Sequence, residues 1–229
     1  MIEVNSFSAK GKRENNEDFI LNRRLSPDCS LFLIADGMGG YSYGEVASSL
    51  ACESIAEYLS ANYGKSKIKQ QIPDSLSVAN NKINEKRKEL SAKMGTTIAG
   101  AVIEGTMAYL FWLGDVRIYQ FRNNELLFQS EDHSLISEMK KKGNVSAKEI
   151  ARYSNIVTRS ISGVSNEDEL IISELSLMLG DVLILCTDGF WQNVNISSIC
   201  NLSLEEIQDH VNKQELVMED NYSFMKISI

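Results

Sequence analysis

The sequence predicts an α+β protein in which antiparallel sheets carry helices on their outer surfaces. Short apolar runs typical of strands are grouped near the start, in the middle and at the end of the chain. Two long patterns with the helical period stand together between the first two groups. Grouped strands and helices, in contrast to alternating ones, favour antiparallel sheets over a parallel α/β fold. No repeat or Pro-rich linker divides the 229 residues, so we expect one domain over residues 1–229.

The first group of strands leads into the two helices. Extended segments are expected at residues 2–9, 19–22 and 30–35. A Gly-rich turn at 37–40 precedes a helix expected over about 43–62, where apolar residues recur near the helical period at Val46, Leu50, Ile55 and Leu59. A second helix is expected over 73–93, with Gly95 as its C-terminal signal.

The remaining elements are shorter. Residues 97–128 are interpreted as a β-meander with strands at 98–103, 108–113, 117–121 and 125–128. A short helix is expected near 135–142, and a polar stretch without a clear pattern follows it through Asn155. The chain then continues with strands at 170–175 and 182–186, helical segments over 195–212 and a last strand at 222–229.

The composition excludes several classes of protein. With 43% apolar and 24% charged residues, the chain is typical of a globular and not of a disordered protein. Its 23 basic and 31 acidic residues give a net charge of −8, which disfavours binding to nucleic acid or an anionic membrane. The four cysteines form no CxxC pair and are expected as reduced thiols. No apolar run spans a bilayer and no signal peptide is recognisable, so we expect a cytoplasmic location.

Five aspartates fall at the ends of predicted strands: Asp18, Asp36, Asp115, Asp188 and Asp220. Asp36 and Asp188 each come after a strongly apolar run and are each followed by glycine. Carboxylates gathered at one end of a sheet repel one another unless cations neutralise them. Because no thiol or imidazole accompanies these oxygen ligands, Mg²⁺ or Mn²⁺ is favoured over zinc.

Two alternatives apply to the Asp-Gly dipeptides. Asp-Gly is the commonest dipeptide of hairpin turns, so one occurrence alone favours a turn. Gly37, however, is followed by a glycine loop and a helix, which is not the pattern of a simple hairpin. The loop Gly37–Gly40 is also a candidate for cradling a phosphate, but it lacks the Gly-Lys-Ser/Thr ending of nucleotide-binding loops and lies beside Asp36.

Eight short blocks stand in a distinctive order between residues 11 and 221. They are Gly11–Asp18, Ala35–Gly40, Gly95–Thr97, Gly114–Tyr119, Asp132–Ser134, Thr158-Arg159 with Gly163, Thr187–Gly189 and Asp220-Asn221. In this order they resemble the metal-dependent PPM (PP2C-type) serine/threonine protein phosphatases, particularly the compact bacterial members. The resemblance implies a four-layer αββα sandwich of two antiparallel sheets flanked by helices. It also implies hydrolysis of phosphoserine and phosphothreonine by a metal-bridging hydroxide in a binuclear Mn²⁺ or Mg²⁺ site.

The resemblance assigns a role to each candidate site residue. Asp36 would bridge two metals, Asp188 and Asp220 would complete the shell of the first, and the carbonyl of Gly37 would join the second. Glu17 and Asp18 would hold metal-bound waters. Asp115, together with Asp188, matches the position of a third, weaker metal. Arg13 matches the phosphate-binding arginine, whose planar fork bonds two phosphate oxygens as lysine cannot.

The chain also departs from the family pattern. Met38 stands where some relatives have a histidine that is a candidate general acid, and Gln192 stands where an acidic residue is frequent. His133 is interpreted as structural. The stretch 140–155 matches a variable flap beside the cleft, and its Lys140–Lys142 run is interpreted as a solvated face, with substrate contact as the minor alternative.

Three functions follow in order of preference. The first is a monomeric phosphatase that acts on phosphorylated proteins, expected to oppose a bacterial-type serine/threonine kinase. The second is a pseudophosphatase that uses the fold to bind a partner, for which Gln192 is the only support. The third is a metal-dependent hydrolase of small phosphate esters, against which the absence of an evident nucleotide or sugar pocket argues mildly.

Overall fold

Two antiparallel five-stranded sheets pack face to face in the computed structural model, which describes residues 2–38, 43–164, 170–213 and 218–229. Sheet I has the strand order β2-β3-β4-β5-β8, and sheet II has the order β1-β10-β9-β6-β7. The strands are β1 Glu3–Ala9, β2 Asp18–Ser26, β3 Cys29–Gly37, β4 Thr96–Glu104, β5 Met107–Leu113, β6 Arg117–Arg122, β7 Glu125–Gln129, β8 Ile172–Ser176, β9 Val182–Cys186 and β10 Tyr222–Ser228.

Helices cover the outer surfaces of both sheets. They are α1 Gly44–Asn62, α2 Ile68–Leu90, α3 Leu135–Lys142, α4 Ala147–Tyr153, α5 Asp188–Trp191, α6 Ile196–Ile199 and α7 Leu204–Lys213. The long helices α1 and α2 pack on sheet I, and α5, α6 and α7 pack on sheet II. The predicted four-layer αββα sandwich is therefore confirmed. Among the helices of the described ranges, none is long and apolar enough to cross a membrane.

Burial on both faces explains the continuous apolar run in β3. Phe32 and Ile34 point into the layer between the sheets, where they meet residues such as Leu185 of sheet II. Leu31 and Leu33 point the other way, into the layer beneath α1 and α2. Because neighbouring residues of a strand face opposite sides, a strand covered on both sides needs apolar residues at every position.

Three expectations from the sequence are wrong. The expected meander is divided, because β4 and β5 lie in sheet I while β6 and β7 lie in sheet II. The chain crosses between the sheets near Gly114, whose φ of +109° suits glycine. Helix α2 begins at Ile68 and not at Pro73, since Ile68 and Ile72 are buried and packing keeps that turn helical despite the proline. It ends at Leu90, with Ser91 in the left-handed conformation, so Gly95 is not its cap.

Short helices account for the other differences. Helix α4 lies in the stretch expected to have no pattern, and Ser146 and Glu149 form a capping box at its start. Helix α5 follows β9 directly and was not expected. The helical segment expected over 195–212 is two helices, α6 and α7. The predicted short helix at 135–142 is confirmed as α3.

Candidate metal centre

The predicted site residues come together at one end of the sandwich. Asp36 pairs with Asp18 across β2 and β3, and Asp188 follows the end of β9. Arg117, which begins β6, pairs with Cys186 at the end of β9, so the crossing segment with Asp115 lies at the same end. A cavity of about 360 Å³ opens there, lined by Arg13, Glu17, Asp36, Gly37, Met38, Thr97, Asp115, Asn155, Ile156, Val157, Asp188 and Asp220.

Seven of the eight predicted site residues thus line one cavity, and Asp18 lies behind it. The Asp18 side chain is buried, and its Oδ2 accepts a hydrogen bond of 2.9 Å from the Thr187 hydroxyl. Its Oδ1 is also buried and has no hydrogen-bond partner. Gly39 and Gly40 of the predicted Gly-rich turn lie outside the described residues.

The carboxylates are crowded enough to retain protons. The side chains of Asp36 and Asp188 lie close enough to affect each other's pKa. Burial, followed by the charges of Asp18, Asp188 and Asp115, raises the pKa of Asp36 well above its usual range. Burial and nearby carboxylates also raise the pKa of Asp18 and of Asp115 to about 7. The pKa of Glu17 is raised, first by burial and then by Glu45.

Protein groups bond to two of the carboxylates at the cavity. Arg13 Nη2 donates to Asp220 Oδ2 at 2.8 Å, and Gln192 Nε2 donates to Asp188 Oδ2 at 3.0 Å. In the described ranges no three acidic, histidine or cysteine side chains are already arranged as a ligand set for a metal ion. Gln192, the departure noted in the sequence, therefore still contacts the site through Asp188.

The residues nevertheless fit a hard divalent cation. The donors at the cavity are carboxylate and carbonyl oxygens, which Mg²⁺ and Mn²⁺ prefer. A buried carboxylate oxygen without a partner, such as Asp18 Oδ1, is costly unless a cation or an ordered water satisfies it. The raised pKa of Asp36 likewise indicates that these buried carboxylates lie close together without a compensating positive charge.

Close backbone packing explains the glycines of the two Asp-Gly dipeptides. A Cβ at Gly37 would lie 2.4 Å from the carbonyl oxygen of Gly44, and a Cβ at Gly189 would lie 2.1 Å from that of Asn221. Neither glycine has a positive φ, so the hairpin-turn alternative does not apply to them. Each glycine lets a neighbouring segment approach the metal-site aspartate that precedes it.

Gly11 likewise allows the backbone of Asp220 to approach closely, and its replacement is expected to lower the stability of the protein. In Gly11→Ala the new Cβ would lie 2.2 Å from the Asp220 carbonyl oxygen, and the φ of +58° would be strained as well. We expect the free energy of unfolding to fall by about 3 kcal/mol or more. Gly105→Ala is the matched control, because its φ is +59° and nothing lies within 4 Å of the added Cβ. Urea unfolding of both variants checks this, and equal losses would contradict the role of close packing at Gly11.

Asn221 is a functional residue that the sequence reasoning did not assign. Its Oδ1 accepts from the Glu17 N–H at 2.8 Å, and its Nδ2 donates to the carbonyl oxygens of Lys10 and Asn15, both at 2.8 Å. The side chain is buried and all its hydrogen bonds go to the backbone of one loop. That loop carries Arg13 and Glu17, so Asn221 ties both to the segment of Asp220. Its place in the Asp220-Asn221 block was the only signal in the sequence.

A group of three side chains to which the sequence analysis assigned no role connects Asp115 with Asp188. Arg117 forms a bidentate ion pair with Asp132, with both N–O distances 2.7 Å. Its guanidinium carbon lies 3.3 Å from the centre of the Trp191 ring, and the Trp191 Nε1–H donates to the Asp115 carbonyl at 2.9 Å. Trp191 lies in α5 with Asp188, so this stack holds two site aspartates in a fixed relation.

His133 lies outside the cavity lining and has a structural setting, as predicted. Its ring stacks on Trp112, with 6.0 Å between ring centres, and its Nδ1 accepts from the Gly114 N–H at 3.3 Å. Burial, followed by the charge of Arg159, lowers the pKa of His133 to about 4 from an ordinary value of 6.5. The folded protein therefore keeps this histidine neutral down to an acidic pH.

This histidine is expected to contribute a loss of stability in acid. Between about pH 6.5 and pH 4 the unfolded chain gains a proton at His133 that the folded chain does not, so the contribution of His133 to the free energy of unfolding falls as the pH falls, by up to about 1.4 kcal/mol per pH unit. The raised pKa values of Asp18 and Asp115 act in the opposite direction over the same range. His133→Gln removes only the histidine contribution, so its free energy of unfolding should rise relative to that of the wild type as the pH falls from 6.5 to 4. His210→Gln is the control, and unfolding by denaturant at several pH values compares them. A wild-type slope in His133→Gln would contradict the assignment.

Comparison with known proteins agrees with the fold. The sequence profile described as protein phosphatase 2C matches residues 8–221. The chain is 28% identical to protein phosphatase PhpP of Streptococcus pneumoniae serotype 2 over 201 residues, which cover 86% of this chain and 81% of PhpP. It is 29% identical to the serine/threonine phosphatase stp of Listeria monocytogenes serotype 4b over 188 residues, covering 77% of this chain and 73% of stp.

Solved structures show the same architecture. The serine/threonine phosphatase of S. agalactiae superimposes with a TM-score of 0.82 at 27% identity, and all of both chains is covered. The catalytic domain of the phosphatase PstP, solved with two manganese ions, has a TM-score of 0.81 at 25% identity and covers 99% of this chain and 97% of that domain. The match of the family profile to nearly the whole chain, together with these relatives, shows that the chain belongs to the protein phosphatase 2C family and is a serine/threonine phosphatase.

Proposed function

We propose that this phosphatase hydrolyses phosphoserine and phosphothreonine in proteins at a binuclear Mn²⁺ or Mg²⁺ centre in the cavity at the end of the two sheets. The observation that carries the proposal is the convergence of aspartates from both sheets on one cavity, where burial and neighbouring carboxylates raise the pKa of Asp36. When bound, two divalent ions supply an activated water and neutralise phosphoryl oxygens. PstP, which was solved with two manganese ions, supports this number of metals.

Each residue has a part that its position supports. Asp36, Asp188 and Asp220 would hold the ions together with the carbonyl of Gly37, all of which line the cavity. Asp115 would join Asp188 at a third, weaker ion. Glu17 and the buried Asp18 would orient water through their carboxylates. The unpartnered Oδ1 of Asp18 is suited to accept a hydrogen bond from such a water.

Arg13 would bind the phosphate of the substrate. Its side chain is half exposed at the cavity and uses one N–H in the bond to Asp220. The other donors of the guanidinium fork remain available for two phosphoryl oxygens, and the positive charge favours a dianionic monoester. The bond to Asp220 sets the distance between the phosphate and the metal ligands.

The substrates would be phosphoproteins made by a bacterial-type serine/threonine kinase. Relatives with the names serine/threonine phosphatase and protein phosphatase support this class of substrate. The shared apolar layer between the sheets supports the view that the chain acts as one domain.

The test is phosphate release from a phosphothreonine peptide with Mn²⁺, with Mg²⁺ and after EDTA. We expect activity with a divalent ion, its loss on chelation, and a higher kcat/KM for the peptide than for p-nitrophenyl phosphate. Isothermal calorimetry should find about two strong Mn²⁺ sites. Hydrolysis of the small ester alone would favour a hydrolase of small phosphate esters. A folded protein that binds Mn²⁺ but hydrolyses neither compound would contradict the proposal.

A further inference from the structure

We propose that residues 140–156, called the flap below, bind the residues that flank the phosphorylated side chain and select acidic phosphopeptides. This inference rests on the proposed function, because it assigns a substrate class to the same cavity. The flap comprises the end of α3, the whole of α4 and the segment that returns to the cavity.

Both ends of the flap region are fixed at the cavity. Asn155, Ile156 and Val157 line the cavity together with the aspartates. The Leu135 N–H, where α3 begins, donates to the Ile156 carbonyl at 2.9 Å, and Ser134 pairs with Val157 in an isolated bridge. The chain therefore leaves the cavity wall, forms α3 and α4, and returns to the same place. A peptide with its phosphate in the cavity would pass directly beside this excursion.

The surface of the flap is not used for packing the protein itself. Helix α4 has no buried residue, and it is specified locally by its own capping box. Ile150 is 40% exposed and Ile156 is 43% exposed. Because Ile156 also lines the cavity, its apolar surface is available to a bound peptide.

The charge of the flap is opposite to that of the rest of the protein. It contains one acidic residue, Glu149, and five basic residues, namely Lys140, Lys141, Lys142, Lys148 and Arg152. All five are exposed, and Lys148 and Arg152 are four residues apart on one face of α4. The Glu149 carboxylate is occupied by bonds to Ser146. The flap thus has a net charge of +4 in a chain whose net charge is −8, and the other residues together carry −12.

Screening decides which of these charges a bound peptide experiences. At physiological ionic strength the screening length is about 8 Å, so carboxylates on distant surfaces have little effect on a peptide in the cavity. The charges of the flap lie on the same excursion as Asn155 and Ile156, which line the cavity. Acidic side chains on either side of the phosphorylated residue would pair with them. The lysine run that the sequence indicated to be a solvated face would then contact substrate.

The experiment compares three phosphothreonine peptides of equal length that carry glutamate, glutamine or lysine at the flanking positions. The flap variant is Lys148→Glu with Arg152→Glu, which changes a helix without buried residues. The control variant is Lys65→Glu with Lys67→Glu, which makes the same change of net charge at exposed positions between α1 and α2. Helix α1 begins at Gly44 beside Glu17 and has 19 residues, so these lysines lie about 28 Å from that end. Each protein is assayed for kcat/KM, for peptide binding by fluorescence anisotropy, and for hydrolysis of p-nitrophenyl phosphate.

We expect wild type and control to prefer the glutamate peptide over the glutamine peptide by roughly tenfold at low salt, in both kcat/KM and binding. The flap variant should lose this preference while it hydrolyses p-nitrophenyl phosphate at the wild-type rate. The inference would be overturned if the wild type had the same kcat/KM and affinity for all three peptides. It would also be overturned if the control variant lost the preference for the glutamate peptide as the flap variant does. Binding to anionic lipid vesicles through the flap without discrimination among the peptides would overturn it too. A failure of the proposed function gives a different result. Hydrolysis of every substrate would then be absent, while the anisotropy measurement would still show whether the flap selects the glutamate peptide.

Discussion

Asp36→Asn is expected to lower kcat for a phosphopeptide by on the order of 10³-fold or more while the protein remains folded. Burial next to other carboxylates raises the pKa of Asp36 well above its usual range. An amide has the same shape, but it lacks the charge that holds a divalent ion between carboxylates. Because the substitution also removes a source of repulsion, the thermal midpoint of the metal-free protein should be unchanged or higher. Phosphate release at saturating Mn²⁺ and thermal unfolding in EDTA measure the two effects.

Asp181→Asn is the matched control, with the opposite expected outcome. Asp181 is fully buried at the other end of β9, where it pairs with Arg122 Nε at 2.7 Å and accepts from Gln120 Nε2 at 3.0 Å. Removal of this charge should cost about 2–3 kcal/mol of stability and leave kcat unchanged. The metal-site assignment would fail if Asp36→Asn kept wild-type turnover, or if it lost stability as Asp181→Asn does.

Asn221→Ala is expected to lower kcat/KM by roughly 10²-fold, mainly through KM. The substitution removes three hydrogen bonds to the loop of residues 10–17, so Arg13 is no longer held beside Asp220. A charged hydrogen-bond donor that loses its position loses most of its binding free energy for phosphate. Initial rates over a range of phosphopeptide concentrations separate KM from kcat.

A double-mutant cycle distinguishes this role from a general loss of stability. Arg13→Ala alone should also raise KM more than it lowers kcat. If Asn221 acts through Arg13, then Asn221→Ala should have little further effect on KM in the Arg13→Ala background. Additive effects of the two substitutions, or an unchanged KM in Asn221→Ala, would show that Asn221 does not position the arginine.

The sequence was most informative where one strand is covered on both faces. The run Leu31–Ala35 is apolar at every position because it lies between two apolar layers, and the same holds for much of β9. Strands of this kind end abruptly at polar residues, which made Asp36 and Asp188 conspicuous. Since the family order of the blocks also runs through these residues, both the architecture and the location of the site could be predicted.

The errors arose where tertiary contacts override local signals. The turn signals between β5 and β6 are the same whether the next strand stays in its sheet or crosses to the other one. Burial of Ile68 and Ile72 extends α2 beyond a proline that would start it in isolation. The helix α5 has four residues and is defined by its packing on β10, which a periodicity of apolar residues cannot reveal.

The residues that support the site could not be predicted from the sequence, for a related reason. Asn221 acts through three backbone groups that lie more than 200 positions away in the chain, and residue type alone does not indicate such partners. The two Asp-Gly dipeptides are typical of turns in sequence. Only the structure shows that a side chain at either glycine would clash with a neighbouring backbone. The Arg117–Trp191 stack likewise joins the first residue of β6 to the last residue of α5, which are 74 positions apart in the chain.

The position of β10 between β1 and β9 has a consequence for folding during synthesis. Residues 3 and 228 are paired, so among the described strands β1 has no neighbour in sheet II until β10 has been made. Asp220 and Asn221 directly precede β10, and pairings between residues so distant in the chain form slowly. We therefore expect the cavity that Asp220 lines to be completed only after β10 has left the ribosome.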